Sequence, residues 1–340
     1  MTEKQYGGNT GRGTENKLIK INKTSILKKQ SQIKIKTTKL EESNQKTDKQ
    51  KIILAGEITS QVKKYARTIV KKGIPLLELA EKIEKKIIEL GGKPAFPVNL
   101  SINEIAAHYT PSYDDKTLAS GLLKVDFGVH INGWIADNSF SVDLDNSEIN
   151  KKLIETSEEA LNNAIKKIKN NAEINDIGKE IQKTIEAKGF SPIINLSGHS
   201  IEKYNLHAGL TIPNVENQSN KKIIPGTYAI EPFVTTKNGS GKIRDGKTSG
   251  IYSLVETKNV RSEKAREVLN FIIKEYNTLP FCSRWIVKKF GISGLIGLKQ
   301  LEDVGNLHQF NQLIEASNEV VAQTENTILV EKEKITITSE

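Results

Sequence analysis

The sequence is poor in cysteine, since Cys282 is the only one among 340 residues. No disulfide can form within the chain, so a disulfide-stapled fold is excluded and a reducing compartment is favoured. The chain also lacks an apolar run long enough to cross a membrane, and it has no N-terminal apolar segment of the secretory type. These absences predict a soluble, cytoplasmic protein that has no membrane partner.

Aromatic and apolar residues are scarce at the N-terminus. Residues 1–50 contain one aromatic residue, Tyr6, and 12 Lys and Arg against 5 Asp and Glu. Such a segment cannot bury enough apolar surface to offset its ordering entropy, so we predict a disordered basic extension over residues 1–50. Its charge favours contact with RNA, for example on the ribosome, and the lack of stacking aromatics makes such contact non-specific. Residues 51–340 form the predicted folded body.

The body shows alternating helical and strand patterns. Apolar residues recur at helical spacing from Ile52 to a stop at Gly73, and a second helix is predicted from about Pro75 to Leu90. The further predicted elements are a hairpin at 121–144, helices at 147–170 and 173–188, strands at 193–197, 206–212, 227–236 and 250–258, a helical insertion at about 262–320, and strands at 320–330 and 335–338. This order predicts an α+β fold of two halves, with the insertion in the second half.

Five potential metal ligands occur in strand-like segments: Asp126, Asp137, His199, Glu231 and Glu325. Four carboxylates and one imidazole form an oxygen-rich set, which suits a pair of divalent ions better than a structural zinc ion. Two bridging carboxylates with terminal ligands would hold two ions about 3.5–4 Å apart and activate a shared water.

The two aspartates have a geometric argument. Asn132-Gly133 is a strong signal for a two-residue hairpin turn, which would place position 128 opposite Asp137. Directly opposed residues share a face of the sheet, and Asp126 shares the face of position 128. Two carboxylates this close, in apolar strand surroundings, repel each other unless a cation lies between them. The alternative is a pair of ordinary surface aspartates.

The other segments are less specific by themselves. His199 and His207 lie in a glycine-flanked segment, at a spacing that excludes a helical H-E-x-x-H zinc site. Glu231 and Glu325 each adjoin apolar strand residues, and either could be an ordinary strand glutamate. The loop that begins near Phe96 and ends with a histidine carries no signal of its own.

Taken together and in this order, the segments resemble a type-2 methionine aminopeptidase of the archaeal kind. The similar segments are AFPVNLSINEIAAHYTP (95–111), VDFGVHINGWIAD (125–137), SGHSIEKYNLHAG (197–209), AIEPF (229–233) and TILVEK (327–332), and the likeness runs from about residue 52 to the C-terminus. The resemblance implies the pita-bread fold, in which two pseudo-symmetric α+β halves surround a curved antiparallel sheet. The helical insertion at about 262–320 is the feature that separates type 2 from type 1.

The resemblance also implies roles for the site residues. The five ligands would hold two divalent ions (Co, Mn, Fe or Zn), with Asp137 and Glu325 bridging both. Glu231 would also relay the proton of the attacking water, and His207 would stabilise the developing oxyanion. His108 would assist proton delivery to the leaving amine.

Substrate recognition is implied in the same way. Phe96 and the segment around Leu206 would help to line the methionine pocket, with His108 and His207 near the scissile bond. The substrate would be a nascent polypeptide that begins with Met and has a small second residue, and the enzyme is expected to be a monomer. His130 and His308 match no functional position and are expected to be structural or solvent-exposed.

One motif departs from the family pattern. The family has Phe-Glu-His-Thr around the last glutamate, whereas this chain has Thr324-Glu325-Asn326-Thr327. We expect the ligand to be retained, with an effect on pocket packing or on the metal environment.

Two alternative functions use the same fold. One is a proline dipeptidase or aminopeptidase P, against which the helical insertion and the 199–209 segment argue. The other is a non-catalytic protein that binds RNA or ribosomes, against which the complete ligand set argues.

Overall fold

The computed structural model describes residues 46–340, so residues 1–45 of the predicted extension lie outside the described residues. Helix α1 begins at Asp48, a few residues before the predicted boundary of the body. A capping box explains this start: the Thr47 hydroxyl accepts a hydrogen bond from the Gln50 backbone N–H, and the Gln50 side chain accepts one from the Thr47 backbone N–H. Residues 47–340 form one compact unit.

The helices agree closely with the predicted ones. Among the described residues they are α1 (Asp48–Ile69), α2 (Leu76–Glu89), α3 (Glu148–Lys167), α4 (Ile174–Ala187), α5 (Glu263–Glu275), α6 (Ser283–Phe290) and α7 (Ser293–Val304). None of them is both long enough and apolar enough to cross a bilayer.

The strands are more numerous and shorter than the sequence pattern indicated. They are β1 (Lys93–Pro94), β2 (Asn99–Ile102), β3 (Ile105–Ala107), β4 (Leu122–Ile131), β5 (Trp134–Asp143), β6 (Ser191–Pro192), β7 (Ser197–Ile201), β8 (Thr211–Pro213), β9 (Gly226–Ile230), β10 (Phe233–Thr235), β11 (Ile243–Leu254), β12 (Phe281–Cys282), β13 (Leu307–Glu315), β14 (Val321–Gln323), β15 (Glu325–Val330) and β16 (Ile335–Ile337).

The strands form three sheets in the described part of the chain. The largest runs in the order β1-β4-β5-β15-β9-β7-β8, with β2 paired to β4 and β16 paired to β15. Its strand pairs are antiparallel. The order of one smaller sheet is β14-β10-β6, and that of the other is β12-β11-β13-β3. Because β15 pairs with both β5 and β9, the C-terminal strand joins the hairpin of the first half to the strands of the second half.

Two apolar cores follow the two halves. In the first, α1 and α2 pack their apolar faces against the β4–β5 hairpin, and Leu79 and Phe127 are fully buried there. In the second, α3 and α4 cover the strands around β9, with Ile181 and Ile230 buried between them. This arrangement confirms the predicted α+β order of two halves.

Three predicted segments were wrong in detail. The expected helical insertion at 262–320 ends as helix at Val304, since residues 307–315 form β13 between β11 and β3. The predicted strands at 193–197 and 206–212 are mostly loop, and strand structure is restricted to β7 and the short β8. Apolar runs of this length do not distinguish strands from buried loops, because partners distant in sequence decide the pairing.

Candidate metal centre

The hairpin places the two predicted aspartate ligands on one face of the sheet. In the β4–β5 register Gly128 lies opposite Asp137, and Asp126 lies opposite Ser139. The turn residue Asn132 and its neighbouring glycine both have positive φ, as a type I′ turn requires. This register confirms the prediction from the turn signal, and the two carboxylates are diagonal neighbours.

Two neighbouring strands contribute the other ligand candidates. Glu325 opens β15 and pairs with Ser139 of β5, so it shares the face of the two aspartates. His199 lies in β7, and Glu231 directly follows the last residue of β9. Ligand atoms of Asp137, His199 and Glu325 lie within 4.8 Å of one another.

The His199 ring is held in the orientation that a metal ligand needs. Its Nδ1 lies 3.4 Å from the carbonyl oxygen of Ser200, which can only accept a hydrogen bond, so Nε2 keeps its lone pair. Nε2 lies 3.8 Å from Asp137 Oδ2 and 3.6 Å from Glu231 Oε1, too far for hydrogen bonds. Burial lowers the pKa of His199 to about 3, so the ring is neutral at physiological pH. A cation between these atoms would bring them together.

The four carboxylates share a buried, low-dielectric space. Burial raises the pKa of Asp126 to about 7. Burial, and then repulsion by Asp126, raises the pKa of Asp137 well above its usual value. The pKa values of Glu231 and Glu325 are raised by burial first and then by the charges of the other acids. Such a cluster is stable in its ionised form only when positive charge neutralises it.

Unpartnered oxygen atoms indicate that the acids fit a metal centre. Asp126 Oδ1, Asp137 Oδ1 and Glu325 Oε1 are buried and have no hydrogen-bond partner. Native proteins rarely leave such acceptors unsatisfied. Carboxylate oxygens and a neutral imidazole are the ligands that Mn, Fe, Co and Zn ions accept in proteins. The residues present therefore fit the divalent ions that the resemblance implies.

A cavity of about 260 Å³ opens onto these groups. It brings together all of the residues singled out for the site from the sequence, namely Phe96, His108, Asp126, Asp137, His199, Leu206, His207, Glu231 and Glu325. They come from distant parts of the chain, and the fold collects them at one place.

The two candidate substrate histidines differ in their surroundings. His108 is at a positive φ of 63°, and its Nδ1 lies 3.2 Å from the Asn311 carbonyl oxygen. Burial lowers its pKa to about 4, so the neutral ring donates from Nδ1 and keeps Nε2 as an acceptor. The His207 ring lies 4.3 Å from the His199 ring between centroids. His207 is exposed to solvent, but the protein around its ring lowers its pKa through partial desolvation.

The apolar wall of the cavity depends on a glycine. Phe96 and Leu206 are buried in one apolar cluster and line the cavity. A Cβ atom on Gly128 would lie 2.5 Å from the Phe96 ring, so a side chain at this position would displace that wall. Position 128 thus has to be glycine for the hairpin to pack under Phe96.

The two remaining folded histidines lie outside the cavity. His130 is buried and accepts a hydrogen bond at Nδ1 from the Gly133 backbone N–H at 3.1 Å. His308 is exposed on β13 and stacks edge-on against Phe310. Both placements agree with the expected structural or solvent-exposed roles.

Sequence reasoning missed four polar residues that line the cavity: Asn99, Asn195, Ser197 and Gln323. Gln323 is buried and donates a hydrogen bond from Nε2 to Glu231 Oε2 at 3.3 Å. Asn99 is 3% exposed and lies opposite Asp126 in the β2–β4 pair. The pairing of β2 with β4 could have pointed to Asn99, but a four-residue strand whose partner is distant in sequence gives little signal.

The altered neighbours of Glu325 do not line the cavity. Thr324 contacts Ser157, with 2.6 Å between the two hydroxyl oxygens. Asn326 is buried on the face of the sheet opposite to Glu325, where its carboxamide lies 2.8 Å from that of Asn138. Strand alternation directs both side chains away from the cavity, and the expected effect on pocket packing or on the metal environment stays a prediction.

Comparison with known proteins adds to this geometry. The model of metallopeptidase family M24 matches residues 50–332. A methionine aminopeptidase of Thermococcus onnurineus is 45% identical over 300 residues, which cover 86% of this chain and 99% of that protein.

Two solved structures share the fold. A thermophilic Arx1 matches with a TM-score of 0.71 and 16% identity, over 85% of this chain and 90% of that one. A methionine aminopeptidase from Thermotoga maritima matches with a TM-score of 0.61 and 20% identity, over 86% and 96% of the two chains. These likenesses confirm the predicted pita-bread fold, and the sequence match confirms the resemblance that the motifs gave. The chain belongs to metallopeptidase family M24.

Proposed function

We propose that the protein is a methionine aminopeptidase, which removes the N-terminal methionine from polypeptides with a small second residue. The observation that carries this proposal is the buried cluster of four carboxylates and His199 at the end of one cavity. The high identity to a named methionine aminopeptidase over almost its whole length supports the choice of substrate. Phe96 and Leu206 offer an apolar wall for the methionine side chain.

Charge balance supports two divalent ions for each chain. The cluster carries four negative charges when Asp126, Asp137, Glu231 and Glu325 are ionised, and two divalent ions neutralise all four. A single ion would leave two uncompensated charges in a buried space, which is costly. All five residues, including Asp137 and Glu325, would hold these ions. The oxygen-rich set admits Mn, Fe, Co or Zn.

The residues of the chain have separate tasks in the hydrolysis. When bound, the ions supply an acidified water near neutral pH and polarise the scissile carbonyl. Glu231, held at Oε2 by the Gln323 carboxamide, accepts and relays the proton of the attacking water.

The two histidines act on the substrate side of the cavity. His207, next to His199, donates a hydrogen bond to the oxygen on which negative charge develops. His108 presents an unprotonated Nε2, because its Nδ1 proton points to the Asn311 carbonyl. His108 therefore first accepts a hydrogen bond or a proton, and only then can it deliver one to the leaving amine.

Hydrolysis of Met-Ala-Ser with each divalent metal tests the proposal. We expect methionine release by the metal-loaded protein and a loss of at least about 100-fold in kcat for Glu231→Gln, as for removal of a general base. Asp126→Asn should lose metal affinity as well as activity. The matched control is His308→Gln, an exposed histidine outside the cavity, which should retain full activity. Full activity in both site variants would refute the assignment.

The same metal-loaded protein also distinguishes the two alternative functions. An Xaa-Pro dipeptide should be cleaved far more slowly than Met-Ala-Ser, and the reverse preference would favour a proline-specific peptidase. A protein that binds no divalent ion in a metal titration, yet binds RNA tightly, would favour the non-catalytic reading.

We also propose a non-specific RNA contact for the N-terminal extension. Its supporting observation is charge, because residues 1–50 carry 12 basic against 5 acidic residues. Removal of residues 1–45 should weaken RNA binding and flatten its dependence on salt, with catalysis unchanged. Sedimentation of the metal-loaded chain would test the monomeric state that we expect.

A further inference from the structure

A row of polar side chains crosses four strands beneath the cavity. Asn99 of β2 lies opposite Asp126 of β4, Asp126 lies opposite Ser139 of β5, and Ser139 lies opposite Glu325 of β15. Directly opposed residues share a face, so all four belong to the face that carries the ligands. Each of them has a buried oxygen atom without a hydrogen-bond partner. The row therefore contains more acceptors than the protein satisfies.

Bound metal ions would account for only two of these four unpartnered oxygen atoms. The free oxygens of Asp126 and Glu325 belong to the acid cluster described above. Ser139 does not line the cavity, so a ligand in the cavity does not reach it. Asn99 remains: it lines the cavity, is 3% exposed, and is a neutral amide at the end of the row.

The orientation of the Asn99 amide is fixed by its other end. Its Nδ2 donates a hydrogen bond to the Pro97 carbonyl oxygen at 3.0 Å. A flipped amide would place two acceptors against each other, because a carbonyl oxygen cannot donate. Oδ1 therefore faces away from Pro97 as an unsatisfied acceptor, and a buried acceptor of this kind is costly unless a ligand donates to it.

We propose that Asn99 is a specificity-determining residue, whose Oδ1 accepts a hydrogen bond from the α-amino group of the substrate. This inference rests on the proposed function. A methionine side chain has no donor, whereas a free α-amino group carries several N–H bonds. The β2–β4 register places Asn99 directly opposite Asp126, and both residues line the cavity. A peptide with a blocked N-terminus would lose this contact.

Ligand pairs that differ only in the amine provide the test. The probes are L-methionine and 4-(methylthio)butanoate, which has the same skeleton without the amino group. Affinities are measured by calorimetry on the metal-loaded protein, for wild type and for Asn99→Leu. We expect methionine binding to weaken about 10- to 100-fold, the effect of removing a hydrogen bond to an amine, while binding of the des-amino analogue changes by less than about twofold. Manganese affinity, titrated separately, should be unchanged.

The chain contains a matched control for the substitution. Asn214 is also fully buried, donates from Nδ2 to a carbonyl oxygen (that of Leu196, at 3.1 Å) and has an unpartnered Oδ1, but it does not line the cavity. Asn214→Leu should leave the ratio of the two affinities unchanged. Asn99→Ala repeats the measurement with a smaller side chain, if the leucine variant is poorly folded.

Three results would overturn the inference. They are an unchanged ratio of the two affinities in Asn99→Leu and Asn99→Ala, an equal change in Asn214→Leu, and a tenfold or larger fall in manganese affinity that accounts for the loss. Failure of the proposed function looks different, because wild-type protein would then release no methionine from Met-Ala-Ser with any metal.

Discussion

A buried ion pair holds the helical insertion against the body, and its removal gives a quantitative prediction. Arg284 of α6 donates to both carboxylate oxygens of Glu84 of α2, at 2.7 and 2.8 Å. Trp285 donates to the same carboxylate at 2.9 Å, and Arg284 Nε donates to the Pro111 carbonyl oxygen at 3.1 Å. Only 3% of the Arg284 side chain and 9% of the Glu84 side chain are exposed. Arg284 therefore connects α6 to Glu84 of α2 and to Pro111, which lies in the segment that carries His108.

Substitution of Glu84 and substitution of Arg284 should lower the free energy of unfolding by different amounts. Glu84→Leu leaves a buried guanidinium that cannot lose its proton, and we expect a loss of about 3–5 kcal/mol in the free energy of unfolding. Arg284→Leu leaves a carboxylate that still accepts hydrogen bonds from Trp285 and from the Val98 backbone N–H, so we expect a smaller loss of about 1–3 kcal/mol.

Urea unfolding of the chelated protein measures both effects. The double variant Glu84→Leu, Arg284→Leu should lose at least about 2 kcal/mol less than the two single variants together, because it leaves no unpaired charge. A double loss equal to the sum of the single losses would refute the reasoning. So would a loss for Arg284→Leu that equals or exceeds the loss for Glu84→Leu.

Three further predictions concern the metal site, a buried histidine and the altered motif. Burial raises the pKa of Asp126 to about 7, so its contribution to the stability of the chelated protein is present below about pH 4 and is lost as the pH rises towards 7. In urea titrations at pH 8, chelated Asp126→Asn should be up to about 4 kcal/mol more stable than chelated wild type. Equal stability of the two proteins would contradict this prediction. Burial lowers the pKa of His130 to about 3, so the free energy of unfolding of wild type should fall by up to about 1.4 kcal/mol per pH unit as the pH drops below about 6.5. His130→Asn keeps an acceptor for the Gly133 backbone N–H, and its free energy of unfolding should depend less steeply on pH. Thr324→Val removes the hydroxyl that contacts Ser157 and should lower the free energy of unfolding, followed by thermal unfolding, by about 1–2 kcal/mol. Its kcat/KM should stay within about twofold of wild type. A larger loss of activity would show that the altered motif affects the metal site.

Local chemistry made parts of the fold predictable from the sequence. The Asn132-Gly133 turn set the register of a ten-residue strand pair, since only one alignment suits a two-residue turn. That register placed Asp126 and Asp137 on one face. The helices followed from their apolar spacing, because an amphipathic helix has to bury one side.

Other parts depended on contacts between distant segments. Nothing local marks residues 307–315 as a strand between β11 and β3, and the strand exists because both partners are there. Glu231 and Glu325 are ordinary strand glutamates by their neighbours, and the pairing of β15 with β5 and β9 directs them to the acid cluster. The family resemblance supplied these assignments where the local pattern could not.

The sequence by itself determined the hairpin register, the helices and the chemistry of the ligand set, because turn geometry, helical periodicity and ligand type are local properties. Only the tertiary structure decided which polar groups lie beside that set. Asn99 and Gln323 join the cavity through strand pairing and burial. Thr324 and Asn326 leave it, although they adjoin a ligand in sequence, because neighbouring side chains on a strand point to opposite faces.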